Sequence, residues 1–214
     1  MAIHLFRMLF MSRPRTASDT ELLMAAARAV SLVGPARLTL ADVAKEAGVV
    51  PATLVQRFGS KRDLLLALAK VGAEGSAEQF TQLRVAHPSP LAALHAVADC
   101  MAGMASSPQE LANHLAFLHM DLTDPDFHRH ALEHSRGFTV ELRKLIEEAI
   151  AAKEMMPCDS ARIARLMGEV IHGSLVTWAL YREGTAQEWL RQDMQTLLAP
   201  YVRKGKSKKK AKRR

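Results

Sequence analysis

Apolar residues recur three and four positions apart along most of the 214-residue chain, the repeat of a helix with one buried face. No stretch keeps the period of two that a half-buried strand needs. Start and stop signals divide the pattern into about nine helices. Ser18 with Glu21 reads as a capping box, opening a helix that places Ala25, Ala26, Ala29, Val30 and Val33 inward and ends near Gly34-Pro35. Thr39 opens a short second helix with Val43, Ala44 and Ala47 inward, and Gly48 stands where a left-handed residue closes it. Pro51 starts a third, because its missing N–H would have had no intrahelical partner; this helix ends by Gly59. Ser60 caps a fourth, which runs from Lys61 through Leu64, Leu65, Leu68 and Val71 and is expected to reach Val85. Ser89-Pro90, Ser107-Pro108, Asp124-Pro125, Asp159 and Thr185 open the other five, the seventh expected to extend to Lys153 and the ninth to Tyr201.

Composition agrees with an all-α fold. Hydrophobic residues make up 49%, and aromatics only 5%. Unbranched side chains lose little rotamer freedom in a helix, whereas strands favour β-branched and aromatic ones. No apolar run approaches the roughly 20 residues of a membrane span. The apolar start, Met1 to Met11, is broken by His4 and Arg7 and lacks a small-residue cleavage site, so no signal peptide is expected, whether translation begins at Met1, Met8 or Met11. Cys100 and Cys158 lie far apart, which excludes a CxxC redox pair and fits a reducing, cytoplasmic setting.

Charge is unevenly distributed. Residues 1–72 carry ten Lys/Arg against five Asp/Glu, residues 73–202 ten against seventeen, and residues 203–214 nine against none. A basic head, an acidic body and a basic tail suggest a polyanionic partner for the two ends. The expected organisation is a flexible arm over 1–16, a three-helix head over 17–70, a helical body over 71–202 and a disordered tail over 203–214.

Three helices of about 16, 8 and 7 residues with a glycine turn between the last two have the dimensions of a helix-turn-helix unit. The string from Thr39 to Val49, followed by Thr53-Leu54, Phe58, Ser60-Lys61 and Leu64, is more specific: it resembles the N-terminal domain of the tetracycline-repressor (TetR) family over residues 17 to about 70. Leu54 and Phe58 face the core. Pro51, Ala52, Thr53, Val55, Gln56 and Arg57 are left outward, with Gln56 suited to adenine edges, Arg57 to guanine or phosphate, and Ala52, Thr53 and Val55 to thymine methyls or sugars. Thr39 and Lys61 stand at helix N-termini, which suit phosphates, and the resemblance implies that role for them. Val50 and Val55 depart from the family pattern, the first removing a capping oxygen and the second the hydroxyl of a usual Tyr. Arg13 and Arg15 are candidates for a minor-groove arm, and the tail for non-specific phosphate attraction.

In the body, Leu166, Val170 and Leu175 on the eighth helix and Leu190, Met194, Leu197 and Leu198 on the ninth make apolar faces broader than one partner helix covers. The resemblance implies a homodimer joined by these helices, bound to a palindromic DNA site. It also implies a small-molecule effector pocket in the helices before them. His95, Cys100, Met101, Met104, His114, Phe117, Met120 and Trp178 are its candidate lining, fitted to an apolar or amphipathic ligand, with core packing the competing role for each Met and Phe. His128, His130 and His134 lack a clear third and fourth ligand partner, so no metal is expected, and no cofactor or catalytic motif is found. The reading is a DNA-binding regulator, a repressor released by its effector. The alternatives are a sequence-neutral architectural DNA binder acting through the tail and a helical-bundle enzyme.

Overall fold

The computed structural model describes residues 17–203. Arg13 and Arg15, and the basic tail from Lys204 onward, lie outside the described residues. Within them the chain is all-α, with helices α1 (Asp19–Val33), α2 (Leu40–Ala47), α3 (Pro51–Phe58), α4 (Lys61–Glu74), α5 (Ser76–Ala86), α6 (Pro90–Ala102), α7 (Pro108–Thr123), α8 (Pro125–Ala151), α9 (Ser160–Tyr181) and α10 (Ala186–Leu198). An isolated antiparallel bridge joins Met155 to Val202. None of these helices is long and apolar enough to cross a membrane.

The described residues form ten helices rather than nine because the fourth is interrupted. α4 stops at Glu74, Gly75 makes a turn and α5 restarts at Ser76. Gly72 and Gly75 both weaken the helix here, and at Gly75 a side-chain carbon would stand 3.1 Å from the Val71 carbonyl.

The described residues fall into two compact units. One joins residues 17–75 to 107–135, the other 76–106 to 136–203. The first is built on fully buried Leu22, Leu54, Leu64 and Phe127, with Val43 and Ala44 closing α2 onto α1. α7 belongs to this unit. Its Phe117 and Met120 pack on the same core, and Phe117 meets Phe127 edge to face at 5.8 Å. Buried Asn113 donates from Nδ2 to the Ser31 carbonyl at 2.7 Å, tying α7 to the last turn of α1. Gly34, at φ +76°, ends α1 beside that amide: a side-chain carbon there would lie 2.9 Å from Asn113 Oδ1.

The second unit packs α6, α8, α9 and α10 around Leu94, Leu145, Ile146, Met167, Leu190 and Met194. Phe80 and Phe138 meet edge to face at 5.4 Å. Arg84 donates to Glu148 and to buried Glu141, each at 3.0 Å, and Lys144 donates to Glu141 at 2.6 Å. Buried charge is thereby paired, which spares the fold the cost of an isolated ion.

Candidate nucleic-acid interface

The local chemistry of the helix-turn-helix holds α3 by its ends and by one side chain. Thr39 caps α2 reciprocally with Asp42: its hydroxyl accepts from Asp42 N–H at 3.2 Å, while its own N–H donates to the Asp42 carboxylate at 2.8 Å. Gly48 closes α2 in the left-handed region (φ +68°, ψ +32°), where a side chain is disfavoured. Val50 supplies no side-chain cap to α3. Its extended backbone (φ −89°, ψ +149°) is the one that a following proline imposes, and Pro51 occupies the first turn. Leu54 is the fully buried residue of α3, and Phe58 packs half-buried against the same core.

The remaining perimeter of α3 is open. Pro51, Ala52, Val55, Gln56 and Arg57 are exposed, Val55 by 50%, and Thr53 is half-buried. The structure brings Arg57 and Lys61 to defined partners that spacing along the sequence could not reveal. Arg57 Nη1 donates to Asp19 Oδ1 at 2.8 Å across 38 residues, and Lys61 Nζ donates to the Ala36 carbonyl at 2.9 Å across 25. Next to Lys61, Arg62 donates to Asp124 and Asp126 at 2.9 Å, and its guanidinium lies 5.7 Å from the Phe127 ring centre. These paired carboxylates reinforce the Arg62 charge, and Arg62 in turn holds the Asp124 carboxyl below its usual range. Thr39 has its hydroxyl engaged in the cap, so it offers an anion the start of α2 rather than a free side chain.

The candidate effector lining is divided between the two units. His114, Phe117 and Met120 sit on α7 in the first unit, where His114 Nε2 lies 3.3 Å from Ser31 Oγ and the other two serve the core. His95, Cys100, Met101, Met104 and Trp178 belong to the second unit. Burial pushes the His95 imidazole below its usual value, with nearby Asp99 opposing. Cys100 is exposed and accepts from Gln79, and Met104 is 46% exposed. Trp178 is buried, donates from its indole to the Gly184 carbonyl at 3.2 Å, and forms one wall of a groove of about 390 Å³ with Asp99, Ala105 and Gln187. Helical periodicity identified inward faces here; it could not say which inward face bounds a ligand. Among the described residues no group of three His, Cys, Asp or Glu could hold a metal ion. His134 Nδ1 lies 2.9 Å from the Gly72 carbonyl and His128 Nδ1 3.2 Å from that of Asp121.

The expected dimer residues differ in their exposure. Leu175, Leu190, Met194 and Leu198 are buried within their own unit, because α9 and α10 pack on each other and on the chain's own core. Leu166, Val170 and Leu197 are only half-buried. Val170 and Leu197, with Gly173, Thr177 and Trp189, line an open groove of about 440 Å³ along α9 and α10.

Residues 22–68 match the family model of bacterial regulatory proteins of the tetR family. No curated protein sequence matches the chain. Solved structures do. A TetR transcription regulator from Haloarcula marismortui superimposes with a TM-score of 0.70 at 19% identity, covering 86% of this chain and 98% of its own. Reduced NemR of Escherichia coli gives 0.70 at 14% identity, covering 87% and 99%. SmeT, the repressor of the Stenotrophomonas maltophilia multidrug efflux pump SmeDEF, gives 0.62 at 18%, covering 89% and 93%. At these identities the likeness is one of fold: a helix-turn-helix head followed by a helical C-terminal region.

Proposed function

We propose that this chain, whose residues 22–68 match the family model of bacterial tetR regulators, is a dimeric transcriptional repressor of that family that binds a palindromic operator and is released by a small apolar or amphipathic effector. One observation carries the DNA-binding part: α3 is anchored by Leu54 and presents Ala52, Val55, Gln56 and Arg57 to solvent, with Lys61 at the start of the next helix. Gln56 would pair with adenine, Val55 and Ala52 would meet thymine methyls, and Arg57 and Lys61 would take guanine or phosphate. Thr53 and Pro51 border the same face.

Dimerisation is supported by the open α9 and α10 face at Leu166, Val170 and Leu197. Reading a palindrome with a twofold dimer requires two α3 helices about 34–36 Å apart, one turn of duplex. Repression follows the likeness to SmeT, itself a repressor. For release, the effector must favour the unbound conformation by roughly 5 kcal/mol to carry occupancy from nearly full to nearly empty.

Selection of bound duplexes from a random pool should return an inverted repeat, and Arg57→Ala with Lys61→Ala should abolish its retention without lowering the melting temperature. Recovery of no preferred sequence, together with loss of all binding when residues 203–214 are removed, would instead favour the sequence-neutral architectural reading.

A further inference from the structure

Arg57 and Lys61 are held in unlike ways. Lys61 donates a hydrogen bond to a neutral carbonyl, at Ala36, and so keeps its full charge for an anion. Arg57 is bound to a carboxylate. Asp19 Oδ1 stands 2.8 Å from Nη1, with 42% of the Arg57 side chain and 60% of the Asp19 side chain exposed. Arg57 is the one charged residue of α3, so Asp19 cancels the formal charge of the entire reading helix.

Asp19 has no capping task that would explain it. The first turn of α1 is closed by Ser18 and Glu21: Glu21 N–H donates to Ser18 Oγ at 3.2 Å, and Ser18 N–H donates to Glu21 Oε2 at 2.8 Å. That reciprocal pair fixes the backbone from which Asp19 projects. A guanidinium carries five N–H donors in a rigid fork, and Asp19 engages Nη1, leaving the other donors of the fork available to a duplex.

We infer that Asp19 is a positioning residue that sets the specificity of α3: it holds the Arg57 fork in one orientation and neutralises the guanidinium charge toward backbone phosphates that approach out of register. The inference rests on the DNA-binding reading above. On random duplex the Asp19–Arg57 pair is close to neutral and displaces few counterions. On the operator, the remaining donors of the oriented fork meet a guanine edge or a phosphate while Asp19 stays bound. Asp19 therefore weakens non-specific binding more than specific binding.

The test uses the full chain, the duplex recovered by selection and a random duplex of equal length, titrated over a range of salt concentrations. Asp19→Asn, which keeps the shape and removes the charge, should bind random duplex several-fold more tightly. Its log–log salt dependence on that duplex should steepen by about 0.9, the share of one additional phosphate contact. Operator affinity should change less, so the ratio of the two falls. In an Arg57→Ala background the same substitution should change neither quantity. An unchanged ratio and slope, or an effect that persists without Arg57, overturns the proposal. Asp19→Ala is a second reading of the same effect; if it lowers the melting temperature through loss of an acidic first-turn residue, Asp19→Asn decides. Failure of the regulator reading looks different: the unmodified chain recovers no preferred sequence, while the random-duplex slope still tests the pair. Absence of any DNA binding by the unmodified chain overturns both.

Discussion

α3 and α10 are both amphipathic, but they spend their apolar faces differently. α3 buries one of its eight residues completely, Leu54, and leans on half-buried Thr53 and Phe58. α10 buries Ala186, Leu190, Met194 and Leu198 among thirteen, and leaves Leu197 and Trp189 half-open on its flank. The groove-reading role proposed for α3 needs most of its perimeter free, and its position rests on one side chain and on the turns at its ends, here Gly48, Pro51 and Gly59. A helix that walls a core gains its position from many contacts. Function in the first case and stability in the second should therefore respond to different substitutions.

Truncating the two anchors is the strongest way to break that contrast. Leu54→Ala and Leu190→Ala each remove a fully buried side chain and should each cost about 2–5 kcal/mol. The consequences should diverge. Leu54→Ala should lose operator retention even at temperatures where the protein stays folded, because nothing else fully buried holds α3. Leu190→Ala should lower the melting temperature by a similar amount yet keep the α3 surface and its sequence preference. Melting curves paired with gel shifts below the transition measure both; equal loss of DNA binding in the two variants would erase the distinction.

Glycines sharpen the same comparison on a smaller scale. Gly34, at φ +76° and ψ +155° in the first unit, is pressed against Asn113, so Gly34→Ala should cost about 1–3 kcal/mol for a backbone that is nearly glycine-only, with displacement of the Asn113 amide added. Gly168, inside α9, has open space where a side-chain carbon would go, and Gly168→Ala should stabilise the protein by about 0.5–1 kcal/mol through helix propensity. Chemical denaturation of both variants checks the opposite signs.

The reason the head was more legible than the body lies in the range of the interactions. Ser18 with Glu21, Thr39, Gly48, Pro51 and Ser60 act on backbone within three or four residues, so their chemistry is complete in the local sequence, and each occupies the cap or turn that its residue type suggests. Leu190 and Met194 carry an equally clear helical stripe, but a stripe says only that a face is buried, not whether its cover is the same chain or a second copy. Phe117 and Met120 posed the same ambiguity between a core and a ligand site. The Asp19–Arg57 and Asn113–Ser31 contacts join residues 38 and 82 positions apart, and no short-range pattern announces them.

Acid should expose the mildest difference between the units. In the first, exposed Asp42 is held below the usual carboxylate range by the Thr39 hydroxyl and N–H. In the second, burial pushes Glu141 upward, but hydrogen bonds from Lys144 and Arg84, with their charges, more than offset it and leave the group lowered. A carboxyl lowered by folding contributes stability that is fully present above its unfolded value, near about 4, and is lost as pH falls through that value and the lower folded one. Both units should thus weaken on acidification, the second more, because protonated Glu141 leaves the Lys144 ammonium without its partner and Arg84 with Glu148 alone. Glu141→Gln should lower the melting temperature at pH 7 and flatten its fall between pH 5 and 3, whereas Asp42→Asn should do both to a smaller degree. A steeper dependence removed by Asp42→Asn than by Glu141→Gln would place the acid sensitivity in the capping box of the head, and the body's buried ion cluster would then count for less than its geometry implies.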